Sequence, residues 1–244
     1  MTLYEATIST KTKAIQDLGS SIQGSVHTSG DEAYDESRMA WNLSVNQNPA
    51  LIVNAETAGD MAAAVQFASQ QNLGVAVQST GHGVANPANG CVLIRTFRMT
   101  GVQVDAGRRT ATVEAGAKWD SVLEKAQGVG LAPLLGSSPD VGVAGYTLGG
   151  GMGWLARKYG LAVDSVNSFD VITADGRQLH ISDREHSDLF WSMRGGGGSF
   201  AVLVGMEIQL YPVTTVYAGN LVYAPKDARQ VVTRYREWIK DLPD

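Results

Sequence analysis

Glycine gathers in three clusters along this chain, and that distribution constrains the fold more than any other feature of the sequence. The chain holds 28 glycines in 244 residues. They concentrate at Gly81 and Gly83, over residues 136–153, and over residues 195–198. A flexible linker mixes glycine with serine and other polar residues in one continuous tract. Here each cluster lies between segments patterned as strands or helices, so tight backbone packing is the better explanation. Glycine also lets a backbone come close to a ligand and adopt left-handed angles.

The segments between the clusters set the fold class. Residues 49–54 (PALIVN) form a compact apolar run suited to a buried strand. Thr57 follows as an N-cap with Asp60 three residues on. Met61, Ala64, Val65 and Ala68 then fall at helical spacing, with Gly74 placed to stop the helix. Residues 74–79 supply a second strand. This strand–helix–strand order predicts a parallel pair joined by a right-handed crossover. Residues 92–95 are a further short strand. Residues 101–116 read as a hairpin around Asp105-Ala106-Gly107, and Trp119, Val122, Leu123 and Ala126 mark a helix over 118–127. Strands over 169–174 and 178–182 flank an Asp175-Gly176 turn. A long strand over 202–211 is closed by Pro212. A leading helix is expected over 4–18, with Ile8, Ile15 and Leu18 loosely on one side. Beyond Pro212 a new strand (216–223) and a new helix (226–240) are expected. A parallel unit early and antiparallel hairpins later predict an α+β fold of two packed lobes.

Composition narrows the class of protein. Hydrophobic residues make up 44% and charged residues 18%, with a net charge of -5, which is the balance of a globular protein without a basic field. That argues against nucleic acid and anionic membranes as partners. The single cysteine, Cys91, excludes an internal disulfide and a multi-cysteine metal site. Its apolar surroundings (Val92, Leu93, Ile94) read as those of a buried, inert thiol. No apolar run approaches the ~20 residues that span a bilayer. The start, Met1-Thr2-Leu3-Tyr4-Glu5, lacks a basic stretch followed by an apolar one, so a cytoplasmic location is expected.

The glycine clusters are also where chemistry is expected. Gln78-Ser79-Thr80-Gly81-His82-Gly83 directly follows a strand. Its small residues admit a ligand to the backbone, successive N–H groups can form an anion nest, and Ser79 and Thr80 add hydroxyl donors. His82 stands between two glycines with its ring uncrowded. A tight turn whose imidazole caps a carbonyl is an equal alternative on local chemistry. The second cluster leads into 154–160 (WLARKYG), where free N–H groups and a helix dipole favour phosphate. The G-x-G-x-x-G fingerprint fails there, because counting from Gly149 its last position is Trp154, and no Walker loop occurs. The third cluster fits ligand contact or a turn where helix and strand cross closely.

Other catalytic templates are missing. There is no H-E-x-x-H or G-x-S-x-G, and His27, His82, His180 and His186 lack metal-ligand spacing, so no metal is expected. His180 and His186 read as surface or capping residues. Asp31/Glu32 and Asp35/Glu36 read as solvated. Asp164 is better placed, with a capping or ion-pair role as the alternative.

Over roughly residues 48–213 the chain resembles the FAD-linked oxidases of the vanillyl-alcohol-oxidase (PCMH-type FAD-binding) superfamily, in its berberine-bridge-enzyme-like branch. Its loop Q-S-T-G-H-G corresponds to the family's R-S-G-G-H loop. The pattern G-G-G-x-G-x-L-x-R-K-Y-G-L-A-x-D is complete from Gly149 to Asp164. Residues 171–176 (VITADG), 188–191 (DLFW) and 194–200 (RGGGGSF) also fit. The resemblance implies a PCMH-type FAD-binding domain of two α/β subdomains, with the beginning of an antiparallel substrate domain. It divides the chain into an N-terminal segment (1–47), the FAD domain (48–213, lobes about 48–105 and 106–213) and the start of the substrate domain (214–244).

It implies FAD as cofactor, attached through an 8α-histidyl linkage at His82. Gln78, Ser79, Thr80, Gly81, Gly83, Ser138, Gly142, Gly145, Gly149, Gly150, Gly153 and Val202 would complete the cofactor site. Ser138 stands where bicovalent members carry a second, thiol attachment, so a single attachment is expected. Gln78 and Thr80 replace the usual Arg and Gly, and Ser199-Phe200-Ala201 replaces Asn-Phe-Gly. The implied activity is an oxidase: hydride passes from an alcohol, sugar or secondary-metabolite substrate to the flavin, and dioxygen accepts the electrons. The catalytic base would lie in the substrate domain. The alternatives are a flavin-binding module without turnover and a glycine-rich structural domain with no cofactor.

Overall fold

The computed structural model describes residues 3–242, with side chains described from residue 12 onward. The chain opens with α1 (Leu3–Ser21), β1 (Ser25–His27), α2 (Tyr34–Ser37), β2 (Leu51–Asn54), α3 (Ala58–Gln70), β3 (Val75–Gln78) and β4 (Val92–Arg95). Their strands form one sheet in the order β1-β2-β4-β3. The strands β2, β4 and β3 are parallel, and β1 is antiparallel to β2. All four residues of β2 are buried, as an unalternating apolar run requires when both sheet faces are covered. Thr57 caps α3 by accepting from the Asp60 N–H. Ile15 and Leu18 of α1 pack into the same core as α3; Ile8 lies outside the described side chains.

Two expectations change here. β2 and β3 are not neighbours, because β4 lies between them. Val92, Leu93 and Ile94 are fully buried, whereas Val75 and Val77 are exposed, so the more apolar strand takes the interior and β3 the edge. The stop of α3 falls at Asn72, whose φ of 53° is left-handed, rather than at Gly74. Asparagine tolerates that region better than most residues.

The second half contains β5 (Val102–Asp105), β6 (Thr110–Glu114), α4 (Trp119–Gln127), α5 (Val143–Leu148), α6 (Ala156–Tyr159), β7 (Val166–Ile172), β8 (Gln178–Ser182), α7 (Ser187–Gly196), β9 (Val202–Gln209) and α8 (Ala228–Trp238). Its sheet runs β5-β6-β9-β7-β8 and every pair is antiparallel. β5 therefore sits in the second sheet, not in the lobe that the expected limit near 105 gives it. The change of sheet falls between Arg95 and Val102. There Gly116 passes Thr96 so closely that a Cβ would lie 1.8 Å from its carbonyl oxygen. β1, from the expected N-terminal segment, joins the first sheet. The class is α+β.

Phe169, Trp119, Met193 and Leu203 centre the second core. Full burial of such side chains stabilises by about 1.5–3 kcal/mol each. Ile172, at the end of β7, belongs to the first core instead, and Val202 and Val204 of β9 pack against it.

After β9, Tyr211 exchanges backbone hydrogen bonds with Ala132. The strand expected over 216–223 does not form: Val216, Tyr217, Leu221, Val222 and Tyr223 are exposed. Apolar patterning does not make a strand without a neighbour to accept its ladder. The expected helix is α8, which buries none of its residues. Among the described residues no helix is long and apolar enough to cross a membrane. Cys91 is half-buried beside a turn, with Sγ 3.6 Å from the Asn89 carbonyl oxygen, rather than enclosed.

Candidate cofactor site

β3 delivers its C-terminal end into the loop 79–83. Gly81 has φ of 80°, and a Cβ there would sit 2.8 Å from Ala40 Cα. The loop is held by the chain before β2: Trp41 N–H donates to the Thr80 carbonyl (3.1 Å) and Asn42 N–H to that of Gly81 (3.3 Å). This contact lays the Trp41 ring on His82, centroids 4.2 Å apart and planes within 16°.

His82 has both ring nitrogens engaged. Nδ1 lies 2.9 Å from Thr80 Oγ1, and Nε2 lies 3.3 Å from Asp140 Oδ2. Ser138 donates its hydroxyl to the other carboxylate oxygen of Asp140 at 2.7 Å. The Ser138 hydroxyl, with His82 beside it, holds the Asp140 carboxyl below the usual range against the opposing effect of burial. Asp140 and Trp41 are the site residues that sequence reasoning missed. Trp41 belongs to no glycine cluster, and Asp140, although inside the second, is 58 residues from His82 in sequence.

The opposite wall is the start of α5. A Cβ on Gly142 would lie 2.9 Å from Ser79 Oγ and 3.2 Å from Thr80 Oγ1, so only glycine lets the loop dock there. Ser79 Oγ is buried without a hydrogen-bond partner among the described residues. Gly83 and Gly145 face open space, with no atom within 4 Å of a Cβ. The structure thus brings Ser79, Thr80, Gly81, His82, Gly83, Ser138 and Gly142 together, with Gly145 one turn further along α5.

Other expected site residues have internal work. Gln78 is buried; its amide donates to the Met39 carbonyl (2.9 Å) and accepts from Gln47 (2.8 Å). Gly149 caps α5, and Gly150 has φ of 108°. Gly151 and Gly153 clear room around Tyr146: a Cβ on Gly151 would lie 2.6 Å from the ring, and one on Gly153 2.1 Å from the Leu135 carbonyl oxygen. Tyr146 meets Trp119 edge to face at 5.6 Å. The helix that this cluster leads into, α6, has only 4 residues, too few peptide units to sum into the expected dipole. Val202 opens β9 opposite Ile172.

In the third cluster Gly195 and Gly197 take φ of 100° and 69°, ending α7 so that the chain can turn into β9. Asp164 meets Arg194 at 3.4 Å, the ion-pair alternative. His180 pairs with Asp170 on the neighbouring strand at 2.7 Å. Among the described residues no group of three or more His, Cys, Asp or Glu could hold a metal.

Known proteins are similar to this chain in sequence and fold. The FAD binding domain family matches residues 49–182. (R)-6-hydroxynicotine oxidase of Paenarthrobacter nicotinovorans is 35% identical over 209 residues, 84% of this chain and 45% of that protein. A solved chitooligosaccharide oxidase superposes with a TM-score of 0.82 at 28% identity, covering 94% of this chain and 51% of its own. Glucooligosaccharide oxidase from Acremonium strictum, whose structure describes a 6-S-cysteinyl, 8α-N1-histidyl FAD, gives 0.73 at 30% identity, covering 81% and 42%. The fold is that of vanillyl-alcohol-oxidase-type flavoproteins. The chain belongs to the FAD binding domain family of these flavoproteins, as the loop motifs led us to expect. It spans about half the length of the relatives it matches.

Proposed function

We propose that this chain holds FAD for an oxidase of the berberine-bridge-enzyme-like branch, with a single 8α-histidyl attachment at His82. The observation that carries the reading is the cradle itself. The loop with its glycine-flanked imidazole docks through Ser79 and Thr80 on Gly142, which has no side chain of its own to hold them off, and Ser79 Oγ is buried with no hydrogen-bond partner among the described residues. Both features suit a bound dinucleotide that covers the open faces of Gly83 and Gly145 and takes the orphaned hydroxyl.

When bound, FAD supplies hydride acceptance from a substrate C–H and delivery of the electrons to dioxygen. The chain's own part is placement. Loop 79–83 and Gly142 would hold the phosphate-bearing portion, and His82 would tether the ring system against loss. Ser138 lacks the thiol for a second bond. Relatives named for 6-hydroxynicotine and for oligosaccharides support a small-molecule substrate.

Acid precipitation tests the reading. The pellet is expected to stay yellow and fluorescent, and His82→Ala to release all its flavin into the supernatant. Flavin retained by the variant would assign the attachment elsewhere. Release from the unaltered protein would reduce the site to non-covalent binding, and a preparation that takes up no FAD would remove it. The rival reading, a flavin-holding module without turnover, is separated by peroxide release: the loaded chain of 244 residues is compared with a longer form that includes a substrate domain.

A further inference from the structure

We propose that Asp140 is the positioning residue that prepares His82 for bonding to the flavin; the inference rests on His82 being the attachment residue. The carboxylate faces Nε2 at 3.3 Å and the Thr80 hydroxyl faces Nδ1 at 2.9 Å. A carboxylate only accepts, so the ring proton sits on Nε2 and the lone pair on Nδ1, where the Thr80 hydroxyl can donate to it and can also rotate away. The acid is itself fixed, because Ser138 donates to its second oxygen at 2.7 Å. Trp41 covers one face of the imidazole and sets its plane. The four contacts fix the tautomer and orientation of a ring whose side chain is only 18% exposed.

This arrangement suits the chemistry of attachment. A C–H bond of the 8α-methyl group and the N–H bond of imidazole are lost, and one C–N bond forms. Two protons and two electrons leave, and dioxygen takes them as hydrogen peroxide, so methyl-flavin, histidine and dioxygen give histidyl-flavin and peroxide. As Nδ1 forms its bond, positive charge grows on a ring that still carries its Nε2 proton. The Asp140 carboxylate lies where it offsets that charge, then receives the proton on its way to solvent. A fixed negative group at a site of developing charge needs no reorganisation during the step.

The test uses the whole chain of 244 residues, purified free of flavin and mixed with FAD in air. Acid-stable flavin is followed over time. Asp140→Asn keeps the shape and removes the charge; at saturating FAD it is expected to slow attachment by about tenfold or more. Asp140→Glu is expected to recover part of the rate. In the flavin-free protein, 15N-histidine NMR is expected to show the His82 proton on Nε2, and Asp140→Ala to mix the two tautomers. The Asp140 side chain is 46% exposed, and the circular dichroism of each variant checks its fold. Attachment at the original rate in Asp140→Asn, loss of non-covalent FAD binding in that variant, or an Nδ1 proton in the unaltered protein would each overturn the role. Acid-stable flavin in His82→Ala instead overturns the attachment residue, so the two failures are distinguishable.

Discussion

Asp60 joins the start of α3 to the chain that follows α1. It accepts from the backbone N–H of Gln23 (3.1 Å), Gly24 (2.9 Å) and Glu56 (2.9 Å) and from the Thr57 hydroxyl (2.7 Å). The residue is 2% exposed. Burial pushes its carboxyl up, but these donors outweigh burial and hold it below the ordinary value. The folded protein therefore binds this proton more weakly than the unfolded chain does. The stabilisation is complete above the unfolded value, about 4, and is lost as pH falls through the lower folded value. Asp60→Asn is expected to cost about 2–3 kcal/mol at pH 7 by urea unfolding, with the difference narrowing below about pH 4. A difference that stays constant with pH would mean that the charge is not its source. Asp60 was legible as a cap partner of Thr57 from three-residue spacing. Its hold on Gln23 and Gly24 was not, since that contact exists only after α1 has folded back.

The second glycine cluster shows what an element needs from its neighbours. Tyr146 sits on α5 with glycines at 151 and 153 clearing its ring, yet its hydroxyl is buried with no hydrogen-bond partner among the described residues. Burial raises the pKa of that hydroxyl. Removing an unpaired buried hydroxyl while keeping the ring is expected to be neutral or to stabilise, by up to about 1 kcal/mol, so Tyr146→Phe should melt no lower than the unaltered protein. A loss of 1 kcal/mol or more would show that the hydroxyl has a partner. The sequence motifs located this cluster and the histidine loop because glycine clustering is local. They did not divide the glycines between Tyr146 and the cradle, because that division depends on which side chains approach from elsewhere in the chain. Gln78 is the same case: its position beside the loop was legible, whereas its commitment to Met39 and Gln47 was not. Residues 216–223 erred the other way, with a strand-like pattern but no strand beside it.

At the scale of the whole molecule, the two sheets do not have separate interiors. α3 packs on β2 and β4 on one side and meets β7 and β9 on the other. Ile172 ends a strand of the second sheet, is fully buried, and lies in the core of the first. Val202 and Val204 of β9 pack on that same core. Opening the first lobe alone would expose the ends of the two central strands of the second. The molecule is therefore expected to unfold as one cooperative unit as far as β9. Ile172→Ala tests this, because it removes one side chain from the shared region at a cost of about 2–5 kcal/mol. Hydrogen exchange in the unaltered protein should give one opening free energy for the amides of β2, β4, β6 and β9. The variant should lower all four strands by the same amount. If β2 and β4 lose protection while β6 and β9 keep theirs, the lobes open independently. The cradle between His82 of one lobe and Gly142 of the other would then rest on the loop contacts alone rather than on a shared core.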